Sequence, residues 1–189
     1  FQMGIYYYHK SLFEKSISAY LKAQKVYETI GDSVKVGNCL NNIGLIYYQL
    51  DKFSKAKEFW EQSLEILKDK GNKQFIVLLK LNLGLANMKL GDLDQAMFFQ
   101  SEALSLAIET DDILNEAKIK NSIGEILKSK DEFLRARTYF MQSLLTAKDI
   151  TEELYRKKTE LQNFHDLAEL CLDEKKYKVK EKKDDGCIY

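Results

Sequence analysis

The sequence predicts an all-α fold, a solenoid of helical hairpins stacked side by side. The first observation behind this is a repeat. Gly4, Gly44, Gly84 and Gly124 stand 40 residues apart, each inside an apolar run such as Ile43-Gly44-Leu45-Ile46-Tyr47. Nine residues after each glycine comes Phe13, Phe53, Leu93 or Phe133, and three further on Ser16, Ala56, Ala96 or Ala136. A fixed period in this range marks a stacked-repeat architecture. The second is composition. The 189 residues include no proline, where usage of about 5% would supply several in an all-β or α/β domain. The third is apolar spacing in threes and fours, the mark of one helix face.

The elements follow in order. Units are expected at about residues 1–30, 31–71, 72–110 and 111–149, with a degenerate fifth at 150–180, together one solenoid over 1–178. In the second unit Val36, Leu40, Ile43, Tyr47 and Leu50 define a first helix, with Ser33 as its expected N-cap. Asp51-Lys52 breaks it. Ala56, Phe59, Trp60, Leu64 and Leu67 define the second helix, which Gly71-Asn72 is expected to end. The third unit reads as a helix from Phe75 to Leu90, a turn at Gly91-Asp92, and a helix from Leu93 to Ile108; Asp111-Asp112 caps the next. Each glycine is expected where two helices pack too closely for a side chain, with Ala56, Ala96 and Ala136 opposite. Trp60 and Phe140 should reach the following layer. In the fifth unit Ala168 takes the small position and Asp173 to Lys176 the turn, with Tyr177 matching Phe133. Residues 179–189 read as a polar, disordered tail or linker.

Composition narrows the function. Lys plus Arg and Asp plus Glu both number 29, so the net charge is zero; a nucleic-acid binder normally carries a basic excess. No apolar run is long enough to span a membrane. Cys39, Cys171 and Cys187 form no CxxC pair, so a zinc or redox site is not expected. Cys39 and Cys171 read as small buried hydrophobes of a reducing, cytoplasmic compartment. His9 and His165 lie on the first and last helices and cannot share a metal. No phosphate-loop, dinucleotide, zincin or hydrolase motif occurs. Neither a catalytic residue nor a cofactor is expected. The chain begins inside a repeat, at Phe1, and reads as an excerpt of a longer protein.

These positions resemble the tetratricopeptide repeat (TPR): the small first-helix residue, the aromatic near the turn, and a closing small residue at Ala23, Ser63, Ala103 and Ser143. The period is 40 rather than the usual 34. That longer type is similar to repeats of the Leu-Gly-Asn polarity scaffolds, kinesin light chains and bacterial TPR regulators, including the Rap-type and TPR sensor regions. The resemblance implies a right-handed superhelix whose first helices line a concave groove. The groove residues would then be Asn38, Asn41, Asn42, Leu45 and Tyr48 in the second unit. Asn82, Leu85 and Met88 follow in the third, and Lys118, Asn121 and Glu125 in the fourth. Asparagine is a mediocre helix former, so its repeated use needs a cause: its amide either pairs with a peptide backbone or bridges adjacent layers. In the third unit Asn87 and Gln100 replace aromatics, either loosening the packing or facing the groove. The lysines and asparagines of the chaperone-tail TPR subclass are missing, since Phe1, Ile5, Leu45, Leu81 and Leu85 hold those sites.

The expected function is a non-catalytic scaffold that binds a peptide or helix of a partner protein. The rival is a peptide-responsive region of a bacterial signalling protein. Self-association through exposed end layers is a third expectation. Neither nucleic acid nor a membrane is expected as a partner.

Overall fold

The computed structural model describes residues 1–70 and 72–185, and side chains as far as Lys176. The described residues form helices joined by short turns, and include no strand. Contacts divide the chain into two compact units, Phe1–Thr110 and Asp111–Tyr189. In the first unit α1 (Gln2–His9) and α2 (Phe13–Thr29) form a hairpin. So do α3 (Ser33–Gln49) and α4 (Phe53–Leu67), and α5 (Lys73–Lys89) and α6 (Leu93–Glu109). Each helix packs on the next. In the second unit α7 (Ile113–Ser129) and α8 (Phe133–Ala147) form a hairpin, and α9 (Glu153–Asp185) packs against both. The all-α helical-hairpin fold is the one the repeat predicts.

The turns obey the same 40-residue period. Ser11, Asp51, Gly91 and Asp131, which close the helices within the hairpins, all have φ between 51° and 82°, and Gly31 and Asp111 between hairpins do the same. This left-handed residue lets the next N–H turn back onto the helix it leaves. The amides of Leu12, Lys52, Asp92 and Glu132 reach the carbonyls of Tyr7, Tyr47, Asn87 and Leu127 at 2.9–3.0 Å. Helix starts are capped by Asp32, Asn72, Asp92 and Asp112, whose side chains accept from the backbone N–H three residues on at 2.7–3.1 Å. Ser33 is therefore the first helical residue of α3, and Asp32 the cap. A carboxylate accepts from the helix N-terminus more strongly than a hydroxyl does. α4 stops at Leu67, and Asn72 opens α5 rather than closing α4. Gly71 lies outside the described residues.

The glycines sit at the closest approach of the two helices, but their partners are not the alanines. A Cβ on Gly44 would lie 2.5 Å from the Trp60 ring, one on Gly124 2.5 Å from Phe140, and one on Gly4 2.7 Å from Tyr20. The large residue sixteen positions on fills the space each glycine leaves. Trp60 also packs on Leu79, Leu83 and Ala86 of the next hairpin, as its size predicts. Its indole N–H donates to the Asn41 carbonyl at 3.1 Å. Gln100 imitates it: fully buried, it donates from Nε2 to the Leu81 carbonyl at 3.2 Å. Asn87 is also fully buried, donating to Leu83 O at 2.8 Å and accepting from Lys57 Nζ at 2.8 Å. Neither polar replacement faces a groove. Ser63 and Ser143 fit the closing small position because their hydroxyls donate to Gly37 O and Ala117 O, at 2.9 and 2.6 Å.

Cys39 is fully buried, and burial pushes its thiol up to about 11. Cys171, expected inside, is exposed, because it turns off the face of α9 that carries the buried Thr159, Asn163, Asp166 and Leu170. Cys187 and the side chain of Tyr177 lie outside the described residues. α9 departs furthest from expectation. The turn at Asp173 to Lys176 does not form, and the helix runs unbroken to Asp185. Residues 173–183 are mostly Lys and Glu, good helix formers with no proline or glycine among them. Arg137 on α8 also ties to Glu174 at 2.6 Å. Ala168, expected at a tight contact, is exposed.

Gly44→Ala should cost about 1–3 kcal/mol, because the Trp60 ring is caged and hydrogen-bonded. Gly84→Ala should cost less, since the unbranched Gln100 side chain, whose amide end lies 2.5 Å from the added Cβ, can rotate aside where the rigid indole cannot, even at the loss of its bond to the Leu81 carbonyl. Denaturant unfolding of the two variants checks the order; equal costs would count against the packing argument.

Candidate functional site

Residues three and four apart on a helix share a face. Asn38, Asn41, Asn42, Leu45 and Tyr48 therefore form one stripe on α3, and Asn82, Leu85 and Met88 the matching stripe on α5. Asn38, Asn42, Leu45, Tyr48, Leu85 and Met88 are half-buried. Leu45 and Tyr48 rest on the core around Trp60, Tyr48 with its ring 5.2 Å from Phe53 and 5.7 Å from Trp60. Asn41 and Asn82 differ: each is only 5% exposed, and Asn82 Nδ2 donates to Asn41 Oδ1 at 3.3 Å. They bridge adjacent first helices. Counting by the period pairs residues 40 apart, as Asn42 with Asn82. The structure pairs residues 41 apart, because neighbouring helices are offset by one position. Tyr8 and Gln49 do likewise, Gln49 Nε2 donating to the Tyr8 hydroxyl at 2.7 Å.

In the second unit Lys118, Asn121 and Glu125 lie along α7. Asn121 Nδ2 donates to Asn163 Oδ1 at 3.0 Å and to Asp166 Oδ2 at 2.7 Å, both on α9. Asn163 is fully buried and donates to Thr159 O at 2.9 Å; Asp166, 2% exposed, also accepts from Gln162 Nε2 at 2.9 Å. About two turns further along α7, Lys128 donates to Glu169 Oε2 at 3.0 Å. Burial alone would lower the Lys128 ammonium, but the bond and charge of Glu169 outweigh it and hold it above the ordinary lysine range. A cavity of about 220 Å³ opens between α7 and α9, lined by Lys118, Asn121, Tyr155, Lys158, Gln162 and Asn163 among others. Sequence reading missed the α9 side of it. The usable signal is the pair Asn121 and Asn163, 42 apart, which the strict period hides.

Among the described residues, His165, Asp166 and Glu169 bring their ligand atoms within 4.8 Å of one another. Those atoms are already engaged. Glu169 holds Lys128 and, at 3.3 Å, His165, while Asp166 accepts the two amides. The trio is tied into polar contacts with α7 through Asn121 and Lys128. No helix among the described residues is long and apolar enough to cross a membrane.

Comparison with known proteins agrees with this geometry. Two family models, both described as tetratricopeptide repeat, match residues 1–69 and 79–107, together just over half of the chain. The chain belongs to the tetratricopeptide repeat family. Among solved structures, BtubC (BKLC) from P. vanneervenii superposes with a TM-score of 0.80 at 19% identity, over 98% of this chain and 74% of that one. A Rap protein complexed with Competence and Sporulation Factor gives 0.76 at 17% identity, over 93% of this chain and 48% of that one. A putative kinesin light chain from Podosopora anserina with nearly identical TPR-like repeats gives 0.71 at 12% identity, covering 96% of this chain and 88% of the other. The TPR chain thus spans about half the length of the Rap protein it matches. No curated protein matches it in sequence.

Asn82→Ala should cost this TPR chain about 1 kcal/mol by orphaning Asn41, and Asn121→Ala about 1–3 kcal/mol by stripping a donor from buried Asp166. Asn42→Ala, half-buried, should stay within about 0.5 kcal/mol. Chemical denaturation reads all three, and equal effects at Asn42 and Asn82 would refute the bridging assignment.

Proposed function

We propose that this TPR module is a non-catalytic scaffold that binds a segment of a partner protein along its first helices. One observation carries the reading. The stripes on α3 and α5 leave Asn38, Asn42, Leu45, Leu85 and Met88 half-buried, apolar and amide groups side by side with free edges. Such a surface suits an amphipathic peptide: the leucines and methionine take its apolar side chains, and the amides take its backbone. Tyr48 supplies an aromatic wall. Asn41 and Asn82 hold α3 and α5 in register beneath that surface rather than touching the ligand. In the second unit, taken by itself, Lys118 and Glu125 carry charge on α7, while the Asn121 amide is engaged with α9. The turns, caps and glycine contacts account for the other regular features of these hairpins without invoking chemistry.

A second reading draws on the Rap likeness. Two Rap-type structures similar to this chain are complexes, one with Competence and Sporulation Factor and one with the Phr* peptide. A peptide that shifts the stacking of hairpins would make this chain the sensing part of a signalling protein. The two readings separate on one measurement, whether a bound peptide changes the chain's dimensions in small-angle scattering.

Peptide display against the whole chain tests the scaffold reading. Recovered peptides should bind the Asn42→Ala/Leu85→Ala double variant about 1–3 kcal/mol more weakly than the parent, the scale of a lost hydrogen bond plus a truncated apolar contact. Isothermal titration checks this; unchanged affinity in a variant with unchanged helicity rejects the face.

A further inference from the structure

We propose that a second copy of this chain covers the outward face of α9, the two helices running parallel and in register as a short coiled coil. This goes beyond the peptide face described above and does not depend on it.

The apolar side of α9 is turned the wrong way for a helix that ends a stack. Among its described residues the buried side chains are Thr159, Asn163, Asp166 and Leu170. Three of the four are polar, and Asn163 and Asp166 take the amide of Asn121 on α7. Turned outward are Leu154, Leu161, Phe164 and Leu172, between 57% and 78% exposed, with exposed Ala168 and Cys171 among them. α4 shows the ordinary arrangement, with Ala56, Trp60 and Leu67 inside and Glu58, Glu61 and Glu65 outside. An apolar stripe left facing water along a helix is a surface suited to contact.

Spacing and charge name the occupant. Leu154, Leu161 and Ala168 stand seven residues apart, and Phe164 and Cys171 each follow three residues after Leu161 and Ala168. These are the a and d positions of a heptad repeat, the seam of a coiled coil. Lys157 holds the remaining d position, with its ammonium 2.5 Å from Glu153 of its own helix. One polar residue in a seam costs stability and fixes the register. Glu153, Glu160 and Leu167 flank the seam at g, and Lys158, His165 and Leu172 flank it at e.

In a parallel pair the g residue of one helix lies beside the following e residue of the other. Glu153 then meets Lys158 of the second copy, Glu160 meets His165, and Leu167 meets Leu172. The two-fold axis makes every such contact twice. An antiparallel pair sets g against g and e against e. It would bring the acids Glu153, Glu160 and Glu174 together on one flank and Lys158 and His165 together on the other, and like charges in contact select against that arrangement. The stripe is therefore complementary to itself in one orientation, which favours a second copy over an unrelated helix. From Leu154 to Leu172 the seam is about 27 Å long. So short a contact belongs to the small, transient class of interface, with a dissociation constant on the order of 10–100 µM.

The test is sedimentation equilibrium of the full chain across that concentration range. The expected result is a monomer at the low end and twice the monomer mass at the high end. Leu161→Glu, an exposed substitution, should weaken the dimer at least tenfold, while Leu134→Glu on the exposed face of α8 should leave it unchanged; circular dichroism verifies that helicity is kept in both. Glu153→Lys and Lys158→Glu should each weaken it, and the double reversal should restore it, because the pairing is then rebuilt with its signs exchanged. In a parallel pair the two Cys171 thiols face each other across the axis. A short bismaleimide should therefore join them in a Cys187→Ser background, and Leu161→Glu should abolish the cross-link. A chain monomeric at every concentration is the outcome if a different helix or a lipid surface covers the stripe, and it overturns the proposal. So does a dimer that survives Leu161→Glu but not Met3→Glu, which would place the contact on α1. A dimer without the Cys171 cross-link, or without rescue by the double reversal, rejects the parallel register.

Discussion

Each hairpin depends on one steric constraint, the approach of two helix backbones at a residue without a side chain. With Gly44 bare, the Trp60 ring reaches the α3 backbone and its N–H meets the Asn41 carbonyl. A side chain there would push the ring out, and with it the surface that Leu79, Leu83 and Ala86 of the next hairpin pack upon. One small residue thus sets both the spacing within a hairpin and the seat for its neighbour. Stacked repeats transmit such a constraint only to adjacent layers, so every hairpin must carry its own copy. That explains the regular return of the motif.

The partner of the glycine shows how much variation the constraint allows. Tyr20, Trp60, Gln100 and Phe140 differ in polarity and shape, yet each fills the same recess. Gln100 works because its Nε2 meets a carbonyl three residues before the glycine, as the indole does. A buried amide there without that bond would leave the site costly. The same logic admits serine where alanine is usual, since Ser16, Ser63 and Ser143 each return a hydroxyl to the facing helix. Polarity inside these hairpins is permitted wherever a backbone carbonyl is within reach.

Period and apolar spacing made the hairpins legible, because both are properties of single residues counted along the chain. Caps were legible to within one residue: Asp112 was readable, while Asp32 was passed over for the serine beside it. What escaped was anything that depends on the offset between layers. Asn41 with Asn82, and Asn121 with Asn163, are 41 and 42 apart, so aligning repeats in columns matches the wrong partners. The α9 helix escaped for a different reason. Its sequence after Asp173 has helix propensity without an apolar face, and a search for apolar periodicity reads that as an end. Residue by residue the propensity continues the helix, with Glu174 anchored by Arg137. The α9 wall of the cavity, Tyr155, Lys158 and Asn163, was out of sight because its residues match no column of the repeat.

The buried asparagines bear on how such a face can hold a ligand at all. Apolar residues alone let one helix slide along another by a turn at little cost, because one leucine surface resembles the next. A buried amide pair does not slide, since displacement leaves a donor and an acceptor without partners, at about 1–3 kcal/mol each. Buried polar pairs of this kind fix register in other helical assemblies. Asn82 on Asn41, and Asn121 on Asn163 and Asp166, therefore set α5 against α3 and α9 against α7 to within one residue. Side chains such as Asn42, Leu45 and Leu85, or Lys118 and Lys158, can present a constant spacing only because the layer beneath is pinned. The amides least available to a ligand are the ones that hold the exposed groups at a fixed spacing.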